Sequence, residues 1–191
     1  GAINSPAVLL RSGLGRLGPV GQRTFLHPVA AVLGQYERAV DPWYGAPQST
    51  HCHEHIDRGR DKVGFFLEAA PLHPMLAAVS FKRFGADHAA LMQKLRHTSA
   101  LLALHVDGLV EGDAGGTVTV DGHGRPRLDY PIGPALTESL PLAHRTLARV
   151  HLAAGCEVAV TTHNPPREVR TEADLATLDD APYGALEHGL F

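Results

Sequence analysis

The densest collection of reactive side chains is His51-Cys52-His53-Glu54-His55. On an extended strand side chains alternate between faces, so His51, His53 and His55 would share one side and Cys52 and Glu54 the other. Three imidazoles on one face are a donor set for zinc or copper, and an open fourth position would permit hydrolytic chemistry. Positions two apart on a strand are, however, spread by roughly 7 Å, so three of them do not converge on one ion without a bulge. Nor is this the helical His-Glu-x-x-His arrangement. The pattern is read as a polar sheet face lining a cavity, and no metal ligands are assigned. Glu68 stands in the apolar run Phe65-Phe66-Leu67-Glu68-Ala69-Ala70. Alternation places Phe66 and Glu68 on one face and Phe65 and Leu67 on the other. If the first face is enclosed, Glu68 belongs to a substrate cavity; if it meets solvent, the carboxylate is simply exposed. Both readings stay open. No Gly-x-Ser-x-Gly elbow occurs, which leaves a hydrolase triad without support.

These residues sit among short strand-like runs at 29–36, 50–56, 63–69 and 99–106, with residues 57–61 as a hairpin connection. Runs 117–120 and 127–130 flank Asp121-Gly122-His123-Gly124, a second hairpin signal. Ser5, Pro6 and Gly13 suit the cap, first turn and left-handed stop of a short helix. The glycine-rich connector that follows has no phosphate-loop lysine. Asp87 can cap a helix over 88–95. Leu140, Ala143, Leu147, Val150 and Ala154 keep helical spacing, with Ser139 as the expected cap and Gly155 as the stop. Residues 156–161 read as a strand, and Thr171-Glu172-Ala173-Asp174 as a capping box opening a last short helix. The sum is an α+β fold, a mainly antiparallel β-sheet covered by helices.

A chain of 191 residues supports one sizeable core and at most two small domains. A formal charge of −3 gives a nucleic-acid partner no electrostatic footing. Protonating all 13 histidines would carry that charge to +10, so association should change through mildly acidic pH. No apolar run approaches the roughly 20 residues of a membrane span, and the first residues lack the order of a secretory signal. With two cysteines in no metal or redox spacing, a cytoplasmic setting is expected. The chain opens at Gly1 without an initiator methionine and closes on Gly189-Leu190-Phe191, and both ends read as cuts through a larger protein.

Residues 1–15, Gly1-Ala2-Ile3-Asn4-Ser5-Pro6-Ala7-Val8-Leu9-Leu10-Arg11-Ser12-Gly13-Leu14-Gly15, join a small pair, Ser-Pro, two aliphatic residues and Ser-Gly-aliphatic-Gly. In that order they resemble the second signature of the glucose–methanol–choline (GMC) flavoproteins. Val20-Gly21-Gln22-Arg23-Thr24-Phe25-Leu26-His27-Pro28 is similar to the segment that follows the signature. Trp43-Tyr44-Gly45-Ala46-Pro47-Gln48-Ser49 and Gly64-Phe65-Phe66-Leu67-Glu68 resemble the bacterial alcohol-oxidising branch, and the likeness extends more diffusely to the end of the chain.

The resemblance implies a two-domain enzyme in which FAD accepts hydride from an alcohol while a base takes the hydroxyl proton. It makes residues 1–28 a remnant of the FAD-binding α/β domain, 29–180 the substrate-binding domain, and 181–191 the start of the return to the FAD domain. It puts Gly1, Ala2, Asn4 and Ser5 beside the cofactor, and makes His53, Phe66 and Glu68 walls of the substrate cavity. Phe65, Phe66, Leu67, Leu72 and Met75 then favour a bulky apolar alcohol over a sugar. The family's Gly-x-Gly-x-x-Gly and its C-terminal catalytic His have no counterpart here, and His73-Pro74-Met75, which lacks the glycine and cysteine of that segment, reads as a turn. No catalytic residue is assigned. The chain is accordingly expected to be inactive and flavin-free alone, completed by the remainder of the flavoprotein. A split flavoenzyme with a complementary chain, exposing apolar surface around 1–14 and 184–191, and a metal-binding module at His51–His55 remain the alternatives.

Overall fold

A computed structural model describes residues 1–184 and 188–190. The strands are β1 (Pro28–Gln35), β2 (His51–Cys52), β3 (Gly64–Ala70), β4 (Thr98–Val106), β5 (Thr117–Val120), β6 (Pro126–Asp129), β7 (Val158–Thr161), β8 (Glu168–Val169) and β9 (Gly189–Leu190). The apolar runs β1, β3 and β4 form the middle of one antiparallel sheet of order β2-β3-β4-β1-β7-β8, with β9 joining the start of β1. β5 and β6 make a separate hairpin over Asp121–Gly124, as its turn residues predict.

Register decides what each face carries. Val29, Leu104 and Phe66 lie side by side, then Ala31, Leu102 and Glu68, then Leu33, Ala100 and Ala70. The opposite face carries Ala30, Ala103 and Leu67, with Phe65 and Val32 in neighbouring rows. Against that second face lies the long helix α4 (Pro134–Ala153), whose Leu136, Leu140, Ala143, Leu147 and Ala148 are buried with Ala30, Val32, Phe65, Leu67 and Ala103. The helix starts earlier than expected, because Pro134 suits a first turn. Ser139 is therefore no cap: it is buried within the helix and donates to the Val63 carbonyl at 2.8 Å. Val150 is exposed, and the 3.6-residue period brings His144 and His151 to the buried stripe instead.

The remaining helices are α1 (Asn4–Arg11), α2 (Pro74–Ser80) and α3 (Gly85–Gln93). A smaller cluster of Leu72, Ala77, Phe81 and Leu95 packs on Leu33 and Ala100, at one end of the first sheet face. α1 packs on β5, and Arg11 donates to the Gly124 carbonyl at 2.9 Å. Its N-cap is Ile3, with Ser5 inside the first turn rather than capping it, while Gly13 adopts the expected left-handed stop at φ 72°. Val8, Leu9 and Leu14 are exposed, and the stretch 184–191 falls partly outside the described residues. The Thr171–Asp174 capping box forms and opens a 3-10 helix over Glu172–Leu178. No described helix is long and apolar enough to cross a membrane.

α4 meets β1 through one close contact. Gly34 lets the His151 ring lie against the strand, where an added Cβ would come within 2.3 Å of His151 Nδ1. His151 Nε2 donates to the Val32 carbonyl at 3.0 Å, and the Tyr36 hydroxyl donates to Nδ1 at 2.8 Å. Gly34→Ala should therefore destabilise the fold by roughly 1–3 kcal/mol, read as a lowered midpoint of chemical denaturation. Burial pushes the pKa of His151 from 6.5 down to about 4. Held neutral, the ring leaves the unfolded chain with more bound protons between those values. Its contribution to stability is thus complete above pH 6.5 and drains away as pH falls toward about 4. The thermal midpoint should fall across that window, and less steeply in His151→Gln.

Candidate functional site

β3 lifts Phe66 and Glu68 onto the sheet face opposite α4, where both are half-buried. His51 lies across from Glu68 in the β2–β3 register, and Gln48 Nε2 donates to Glu68 Oε2 at 2.6 Å. The strand expected over 50–56 stops at Cys52, because residues 53–56 close a turn in which Ile56 N donates to the His53 carbonyl at 3.1 Å. That turn crosses Gly64, whose missing side chain makes room for the Ile56 carbonyl. The His53 ring stacks on that of His51 at 4.5 Å and meets Phe66 edge-on at 5.6 Å. His27 approaches Phe66 at 6.2 Å.

The structure therefore gathers His53, Phe66 and Glu68 into one group and adds His27, Gln48 and His51 to it. His55 does not join them. The turn sends it to the α4 side, where it packs on Phe65 at 4.9 Å, so the three-imidazole strand face is not formed. Beyond this group the same sheet face borders a pocket of about 330 Å³, with Val29, Ala31, Leu33, Leu72 and Leu102 on its walls. Of the residues expected to favour an apolar substrate, Phe66 and Leu72 are on this side. Phe65 and Leu67 belong to the α4 core, and Met75 is exposed.

Gly1, Ala2, Asn4 and Ser5 lie elsewhere, at the exposed start of α1 on the hairpin side. No side chain caps the first amides of α1, and the space beside Gly1 is open. Ser5 N donates to the Gly1 carbonyl at 3.1 Å and Ala7 N to the Ile3 carbonyl at 3.3 Å, while Pro6 has no N–H, so backbone groups rather than side chains satisfy this helix start.

One group escapes a reading of local spacing. His144 of α4, His163 just after β7 and His188 just before β9 are buried with their ligand nitrogens within 4.8 Å of one another. Burial lowers the pKa of His144 to about 3 and of His163 to about 4. Tyr183 packs on all three rings, and burial pushes its pKa up to about 12. The only hint in the sequence is that His144 and His151 stand seven apart on one helical face; His163 and His188 carry no motif.

No family model matches the chain. Two curated proteins do, and both are oxidoreductases by name. They are the uncharacterized GMC-type oxidoreductases of Mycobacterium tuberculosis strains CDC 1551/Oshkosh and H37Rv, each 27% identical over 164 residues and 84% of this chain. The chain is thus similar to proteins named as GMC-type oxidoreductases, the family that its opening residues resemble. It spans 24% of the length of those relatives.

Because Glu68 is half-buried and its carboxylate, among the described residues, accepts from the exposed Gln48 amide, Glu68→Gln should change folding stability by less than about 1 kcal/mol in chemical denaturation. A larger loss would mark the carboxylate as part of the scaffold.

Proposed function

We propose that this chain forms the substrate-facing wall of an FAD-dependent oxidoreductase acting on alcohols. The observation that carries the reading is the two-sidedness of the sheet. One face is sealed by α4, while the other presents Phe66 and an aliphatic pocket beside a polar rim of His53, Glu68 and Gln48. An apolar wall with a few polar groups at one side suits a ligand with an alkyl body and a hydroxyl head. Phe66, Leu102 and Leu72 would hold the body and exclude water, and the His53–Glu68 rim would orient the hydroxyl. FAD, when bound, supplies the hydride acceptor, and Gly1, Ala2, Asn4 and Ser5 would border it at the start of α1. The base that takes the hydroxyl proton is not assigned to any residue of this chain. The exposed Val8, Leu9 and Leu14 fit a surface covered by the rest of the flavoprotein. A cytoplasmic location, an apolar substrate, and flavin held only by the complete assembly belong to the same proposal.

The test uses the native polypeptide that contains this chain, recovered from source cells, beside the 191-residue chain alone. The native polypeptide should carry flavin whose visible absorbance bleaches anaerobically on addition of a long-chain alcohol, and the isolated chain should leave gel filtration without flavin. A native polypeptide devoid of flavin would sink the proposal.

A further inference from the structure

We propose that His144, His163 and His188 form a binding site for one divalent transition ion of the zinc–copper type. The inference rests on this cluster alone and is independent of the flavin reading. α4 supplies one ring, the segment after β7 the second and the residue before β9 the third. β7 pairs with Val32–Gln35 and β9 with Pro28–Val29, so the edge of β1 opens between them and the rings gather there. The His144 ring lies 4.6 Å from His163 and 5.3 Å from His188, centre to centre.

The tautomers favour coordination. A carbonyl only accepts, so His144 Nδ1 must donate to Leu140 at 2.9 Å and His188 Nδ1 to Gly184 at 2.7 Å. Each of those rings then directs an Nε2 lone pair away from its anchor. His163 is held through Nδ1 by Thr161 Oγ1 at 2.8 Å, and that oxygen also accepts the Arg167 backbone N–H at 2.9 Å. An imidazole pinned through one nitrogen and offering the other is how metal-binding histidines are oriented by their outer partners. The Nε2 atoms of His144 and His163 are buried and meet no hydrogen-bond partner among the described residues. Packing alone does not account for such a group, since leucine or phenylalanine would fill the space without stranding polar atoms.

The donor set selects the ion. Three neutral nitrogens, with no carboxylate or thiolate among them, suit zinc, copper or nickel and not calcium or magnesium. The Tyr183 hydroxyl is engaged, donating to the Leu178 carbonyl at 2.6 Å, which leaves a fourth position for a small ligand. Arg167 and Lys82 place positive charge near His163, so that fourth ligand should be an anion. His188 also borders the aliphatic pocket of the open sheet face, which makes the site its neighbour.

The experiment takes the untagged chain, stripped with a chelator, and titrates it with Co²⁺ and then Zn²⁺. One equivalent of Co²⁺ should bind with the visible d–d absorption of a four-coordinate nitrogen–oxygen site and no thiolate band, and Zn²⁺ should bleach it. His163→Gln should weaken binding by about tenfold or more while circular dichroism stays native. His53→Gln, in the exposed cluster, should leave it unchanged. Should His163→Gln fail to fold, the wild-type spectrum and the His53→Gln titration still decide the matter. Substoichiometric uptake by folded wild-type chain, or loss of metal in His53→Gln, overturns the proposal.

Discussion

The contact between α4 and β1 sets the sidedness of the whole sheet. A histidine in the helix reaches the strand because Gly34 has no side chain, and it is satisfied at both nitrogens by Val32 and Tyr36. With both nitrogens answered, this imidazole is buried without stranding a polar atom. Here the answer fixes how closely the helix can approach and how it is rotated about its axis. The same rotation that brings His151 to Gly34 buries Leu140, Leu147 and His144 and leaves Val150 outside. It also commits Phe65 and Leu67 to the core, which obliges Phe66 and Glu68 to face the other way.

That obligation was legible in the sequence wherever one rule governed. Short strand-like runs between turn residues located β1, β3 and β4, and period-two alternation separated Phe66 and Glu68 from Phe65 and Leu67. The Asp121–Gly124 turn and the Thr171 capping box were equally plain, because each is a short-range motif with its own mechanism. His53 reached the expected neighbourhood just past the end of β2, its ring stacked on His51, and the strand gives way there to a turn. What forces that turn is the passage of the Ile56 carbonyl over Gly64, a contact between segments that no local pattern announces. The approach of His151 to Gly34 was hidden for the same reason. So was the gathering of His144, His163 and His188, which depends on where β7 ends and β9 begins beside β1.

The two faces divide the work of the chain. The α4 side holds the large side chains and the neutral buried histidines, so it carries stability and its dependence on pH. The open side is half-buried aliphatic surface edged by groups that can donate or accept a proton, which is unusual for a face meant only to meet water. The histidine triad lies where the two meet, with His144 in the core and His188 at the pocket wall. An ion there would brace the edge of the sheet that the open face depends on.

Phe65 and Phe66 offer the most direct measurement, because they are adjacent in sequence, identical in type and assigned to opposite faces. Each is replaced by alanine in the native polypeptide, and unfolding stability is measured beside the rate of flavin reduction by alcohol. The account predicts that Phe65→Ala loses roughly 3–5 kcal/mol of stability. Phe66→Ala should stay within about 1 kcal/mol of wild type, keep its flavin, and require several-fold more alcohol for half-maximal reduction. If Phe66→Ala leaves the alcohol dependence unchanged, the open face is not the substrate wall, and the central claim fails.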